Sequence, residues 1–151
     1  MEDANLLLLD IARFAPLIAI MGYAAYQDHK TGEVPNKVWL YAIPGALLTT
    51  IETLLEPQLV FATLLSIAVT ITIALVMFYV GGSGGADTKA YLTLAVSAPL
   101  TLPYLAPILF LPLVTIIIAG ITAGIYGVVK GKKEVRYIPF IFIGLIASAF
   151  L

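Results

Sequence analysis

The sequence predicts an all-α integral membrane protein, a polytopic bundle of about six transmembrane helices with the fourth and sixth short. Two observations carry this. First, 61% of the 151 residues are hydrophobic and only 11% are charged, with a mean hydropathy of +1.04. Soluble domains are roughly 45–50% apolar and about 25% charged, so these few charges cannot cover a water-facing surface, and the solvent is largely lipid. Second, the apolar residues fall into runs close to the ~20 residues that a helix needs to cross the hydrocarbon core, with short polar stretches between them.

Four runs are long enough or nearly so: 6–26, 38–55, 59–80 and 108–129. Two are shorter, 90–99 and 138–151. Short helices sit behind others, tilt, or thin the bilayer locally. The far end of the fourth is interrupted by Pro99, Pro103 and Pro107, each lacking the N–H that a helix interior uses. The connecting segments are 28–37, a tight turn at 56–58, the glycine-rich 81–89, 101–107 and 130–136. No internal repeat is visible.

Seven of the eight Lys and Arg residues lie in odd-numbered connections: Lys30, Lys37, Lys89, Lys130, Lys132, Lys133 and Arg136. The positive-inside rule then makes those connections cytoplasmic and puts both termini outside. The eighth, Arg13, is three residues from Asp10, a spacing that pairs on a helix. That pair reads as an ion pair near the outer end of helix one, with a buried functional pair as the alternative. The acidic start, Glu2 and Asp3, lacks the basic region of a cleaved signal peptide.

The chain has no cysteine, which excludes disulfides, thiolate metal sites and a cysteine nucleophile. A net charge of −1 carries no nucleic-acid signal. His29 is the only histidine and has no evident partners for a metal site. It reads as a solvated loop residue. The glycines of 81–85 lack the Gly-Lys-Ser/Thr ending of a phosphate-cradling loop, and Ser83 has no histidine or lysine partner. No metal or cofactor is expected. Gly120 and Gly124, four apart in helix five, allow close helix packing, within the chain rather than between copies. The 130–136 basic cluster reads as a topology signal beside anionic lipid.

Two crossings separate Asp28 from Asp87, so both are expected at the cytoplasmic boundary, where neighbouring helices could bring them together. Two close carboxylates tend to share one proton at working pH. The ionised one can take a proton from water, and the protonated one can polarise a peptide carbonyl. Taken singly, Asp28 is a wet-loop residue and Asp87 a helix N-cap.

The surrounding residues add to this. Asp28, Lys30 and the run Val34-Pro35-Asn36 form one pattern, and Gly84-Gly85-Ala86-Asp87 with Lys89 forms another. Together they resemble the type IV prepilin peptidases, including the archaeal preflagellin (prearchaellin) peptidases, which are GxGD-type aspartic membrane proteases. The family pairs an aspartate, a basic residue and an Ile/Val-Pro-Asn/Asp turn with a Gly-x-Gly-Asp motif. Ala86 stands where the second glycine usually is, and would be strained if that position needed a positive φ. The resemblance implies that residues 1–151 form a single transmembrane peptidase domain with Asp28 and Asp87 catalytic. Lys30, Val34, Pro35, Asn36, Gly84, Gly85, Ala86 and Lys89 would support them. It also implies removal of a short basic leader from pilin or archaellin precursors, the apolar substrate helix staying in membrane lipid. Lacking the cysteine-bearing cytoplasmic domain of bacterial members, the chain looks like the peptidase-only form without N-methyl transfer. Two other readings are a small transporter or channel using intramembrane carboxylates and a non-catalytic membrane scaffold.

Overall fold

The computed structural model describes residues 2–55, 60–80, 83–98, 111–131 and 135–148, with side chains from residue 14 onward, Glu52 excepted. The expected Asp10–Arg13 pair, the turn at 56–58 and the segment 101–107 lie outside the described residues and side chains. Among the described residues there are helices only: α1 (Glu2–Thr31), α2 (Asn36–Leu40), α3 (Ile43–Leu55), α4 (Val60–Tyr79), α5 (Gly85–Ser97), α6 (Leu111–Lys130) and α7 (Ile138–Ser148). Taking α2 and α3 together as one apolar span, Asn36–Leu55, the described helical units are six.

The break between α2 and α3 departs from the single helix expected over 38–55, and its cause is Pro44. Proline cannot donate to the carbonyl four residues back and disfavours helical geometry in the residue before it. The chain tightens there instead: Tyr41 N–H donates to the Val38 carbonyl at 3.2 Å and Ala42 N–H to the Trp39 carbonyl at 3.2 Å. Helical bonding resumes with Ala46 N–H on Ala42 O at 3.0 Å. Pro44 thus sits in the first turn of α3, where its missing donor costs little.

Three described segments are long and apolar enough to cross a membrane: Asn36–Leu55, Val60–Tyr79 and Leu111–Lys130. Only 17% of the Val60–Tyr79 span is buried in the protein. Leu54, Leu55, Phe61 and Val80 are more than 70% exposed. Apolar surface on this scale fits lipid and not water. The chain is therefore a helical membrane protein.

The short α5 is enclosed by the others. It touches α1, α3, α4, α6 and α7, and Ala90, Tyr91, Leu94 and Ala95 are fully buried. Its buried Ser97 ties it to the chain around α3. Ser97 Oγ donates to Ala42 O at 3.4 Å and Thr49 Oγ1 to Ser97 O at 3.2 Å, and a Cβ on Gly45 would meet Ser97 at 3.1 Å. On the other side, α7 packs between α1 and α6. The closest backbone approach is at Gly144, where a Cβ would lie 2.5 Å from the Thr115 carbonyl oxygen of α6. This corrects the expectation for Gly120 and Gly124: both are exposed, a Cβ on Gly124 meets nothing within 4 Å, and one on Gly120 meets only the Tyr137 hydroxyl.

Candidate active site

The sequence 28–34 leaves α1 through a turn that its own residues build. Gly32 N–H donates to the Asp28 carbonyl at 2.9 Å with Gly32 at φ +79°, the left-handed geometry that ends helices and favours glycine. Thr31 Oγ1 donates to the Gln27 and Glu33 carbonyls at 2.9 Å. Pro35, at φ −58°, then precedes Asn36, the first residue of α2. Val34 packs against Ile20, Ala24, Ala25 and Val38, fixing the turn to the helices on both sides.

At the start of α5 the N-cap is Gly84, in extended geometry, and Asp87 is the third helical residue. Asp87 was expected to be a possible N-cap. Instead its Oδ2 reaches back to accept the Gly84 N–H at 3.2 Å. Ala86 is helical, so it is unstrained in place of the usual motif glycine, and it packs against the same cluster as Val34. Gly85 has nothing within 4 Å of where a Cβ would stand, which leaves room beside the backbone.

Both aspartates line one cavity of about 680 Å³. Its wall is made by Asp28, Gly32, Glu33 and Val34 from one segment, Gly84 to Asp87 from the second, and Val135, Arg136 and Tyr137 from a third. The third segment was missed as part of the site, because Arg136 read as part of a charge cluster. Of the supporting residues, Lys89 Nζ donates to Asn36 Oδ1 at 2.6 Å and ties α5 to α2. Lys30 does not line the cavity and lies over the Tyr26 ring at 5.6 Å.

Asp28 and Asp87 stand outside the apolar spans 6–26 and 90–99. Asp28 is only 6% exposed, and its Oδ2 is buried with no hydrogen-bond partner. Burial raises its carboxyl above the usual range, opposed by the Arg136 guanidinium, the Ile138 backbone N–H and the His29 side chain. Burial also pushes Asp87 up to about 6; the Gly84 N–H opposes this and the Asp28 charge adds to it. Tyr137 is raised by burial too, with its ring edge-on to Tyr91 at 6.1 Å. Two carboxyls therefore face one cavity, each held nearer neutrality than in water, and one has a free lone pair. Among the described residues no three histidine or acidic side chains group as metal donors.

The model of the type IV leader peptidase family matches residues 15–128. The chain belongs to that family. It is a membrane peptidase of the prepilin type, with pilin-type precursors as its general substrate class. No curated protein and no solved structure matches the chain significantly. The matched stretch contains both aspartates and the 34–36 and 84–89 segments, and stops short of Arg136 and α7.

Proposed function

We propose that this leader peptidase is an aspartic endopeptidase in which Asp28 and Asp87 act as a pair. The observation that carries the reading is their meeting in one cavity from segments nearly sixty residues apart, Asp28 with a buried, unpartnered oxygen. Asp28, nearer the Arg136 cation, is the ionised member and takes a proton from the attacking water. Asp87, the protonated member, donates a hydrogen bond to the scissile carbonyl. As the tetrahedral intermediate collapses, the departing amine takes a proton from the pair, and no covalent intermediate forms. The open space beside Gly84 and Gly85 admits the substrate backbone.

The residue roles follow from the same placement. Lys89 and Asn36 hold the two motif segments together, and Val34, Pro35 and Ala86 anchor them to the bundle. The substrate is a pilin- or archaellin-type precursor cut at the cytoplasmic boundary, and residues 1–151 serve as one transmembrane peptidase domain without methyl transfer. The orientation is supported by the basic residues: Lys30, Lys37, Lys89, Lys130 and Arg136 all belong to the end of the bundle that holds the cavity, which the positive-inside rule makes cytoplasmic, with both termini outside. A transport pathway would need charge near the bilayer centre, whereas these carboxyls lie at helix ends.

The test is cleavage of a pilin- or archaellin-type precursor in detergent by the wild type, Asp28→Asn and Asp87→Asn. Asparagine keeps the shape and removes the titratable group. The proposal expects the wild type to trim the leader and each variant to fail while remaining folded. Near-normal activity in either variant removes that residue from the chemistry.

A further inference from the structure

Arg136 lies outside the stretch matched by the family, and its neighbours Lys130, Lys132 and Lys133 make it look like one more topology charge. Its contacts are of another kind. Nη1 donates to the Asp28 carbonyl oxygen at 2.8 Å and also to the His29 carbonyl oxygen. These belong to the last turn of α1, where the Asp28 carbonyl already accepts the Gly32 N–H at 2.9 Å and takes the guanidinium on its remaining lone pair. The guanidinium also covers Gly32: a Cβ there would stand 3.4 Å from Nη2. Gly32 is thus constrained twice, by its φ of +79° and by the cation above it. Arg136 Nη1 clamps the turn that carries Asp28, from a segment 108 residues away in sequence.

We propose that Arg136 is the positioning residue of this peptidase, holding the end of α1 so that the Asp28 carboxylate faces Asp87 across the cavity. The inference rests on the two-aspartate reading for its catalytic consequence, though not for the clamp itself. A planar guanidinium suits this task because Nη1 reaches both carbonyls while Nη2 lies over Gly32, whereas a lysine ammonium is a point charge on a flexible stem. The groups facing Asp28 are His29 on its own helix, Glu33 in the turn, Asp87 from α5, and Arg136 and Tyr137 from the segment before α7. Of these Arg136 is the one permanent cation, so it sets charge as well as position.

The test compares Arg136→Gln, Arg136→Lys, Gly32→Ala and Lys130→Gln with the wild type. Arg136→Gln and Lys130→Gln remove the same charge from the same polar segment. Two readouts are taken: precursor cleavage across pH, and hydrogen exchange of the amides at 29–34. For Arg136→Gln the expected result is a kcat reduced about 10- to 100-fold, the scale of an ångström-level misplacement. KM should stay within about 2-fold, since no substrate contact is lost, and the acidic limb of the rate profile should move to higher pH. Arg136→Lys should return the limb to its place with only part of kcat, and Gly32→Ala should lower kcat with the charge intact. Exchange at 29–34 should quicken in Arg136→Gln and Gly32→Ala, and not in Lys130→Gln. If Arg136→Gln does not fold, the lysine and Gly32 variants carry the comparison. Equal exchange and equal kinetics in the two glutamine variants overturn the inference. Loss of precursor cleavage in the wild type itself overturns the peptidase reading instead, and the exchange data still decide the clamp.

Discussion

Asp87→Asn separates a buried catalytic acid from an ordinary capping aspartate by the sign of its effect on stability. A cap that accepts backbone N–H bonds is stabilised as an anion, so its pKa falls in the folded state, and replacing it with asparagine costs stability increasingly as pH rises. Here the folded-state value is instead raised, to about 6 from 3.8, with burial the main cause. Below about pH 4 the carboxyl is neutral in both folded and unfolded chains and its contribution is fully present. Between about pH 4 and 6 the unfolded chain releases the proton and the folded one keeps it, so stability falls. Above that range the loss is complete and amounts to about 3 kcal/mol, two units at 1.36 kcal/mol each. Asparagine removes the titration and can still accept the Gly84 N–H. The variant should match the wild type at pH 4 and melt higher at pH 8, by up to roughly 6–12 °C at 2–4 °C per kcal/mol for a chain this long. Thermal unfolding in detergent, followed by helical signal at both pH values, checks it. An Asp87→Asn protein that is less stable than wild type at pH 8 refutes the reasoning and restores the capping role. Asp28→Asn should move the window down in pH, because the Asp28 charge is part of what raises Asp87.

Other perturbations read different parts of the structure. Gly144→Ala drives a Cβ to 2.5 Å from the Thr115 carbonyl and should destabilise by about 1–3 kcal/mol through overpacking, measured as a lower melting temperature; Gly124→Ala, with nothing nearby, should be neutral or slightly stabilising. Ala86→Gly restores the usual motif glycine inside a helical turn and should cost about 0.5–1 kcal/mol with cleavage retained; a higher melting temperature would mean that the helical placement of Ala86 is wrong. Asn36→Ala releases Lys89 Nζ and should cost ~1 kcal/mol, the net worth of a typical hydrogen bond, with a modest drop in kcat as α5 loosens from α2.

The bundle was legible because its signals are local. Apolar runs separated by polar segments marked the described helices, and the fourth and sixth runs are short helices as expected; that the fourth is enclosed by its neighbours was one of three options for a short helix. Pro44 carried the break between α2 and α3, yet a hydropathy run averages over it, and the consequence depends on which carbonyls are left unpaired. The N-cap reading of Asp87 was off by three positions because Gly84 can serve as N-cap with no side chain at all. The misread glycines show the same limit. A four-residue spacing marks Gly120 and Gly124, but the face of α6 that meets α7 is set by tertiary packing, and the close approach went to the single Gly144. Arg136 was the largest omission at the site. Its partners are backbone carbonyls 107 and 108 positions away, and no residue pattern encodes a bond to a carbonyl.

The two short helices account for where the cavity is. At about 1.5 Å per residue, α5 is about 20 Å long and α7 about 17 Å, against about 30 Å for α4 and α6. A helix shorter than its neighbours leaves a hollow beyond its end, and both short helices begin at the cavity: Asp87 is in the first turn of α5, and Arg136 and Tyr137 immediately precede α7. Helix N-termini carry partial positive charge, and each supplies an N–H toward an aspartate, Gly84 to Asp87 and Ile138 to Asp28. Those dipoles offset part of the burial that raises both carboxyls. Without them burial would favour two neutral acids and no base; with full solvation both would be anions and neither an acid. Helix length thus sets the hollow, and under the proposed two-aspartate mechanism the two N-termini with Arg136 set the balance that lets one carboxyl be charged while the other keeps its proton.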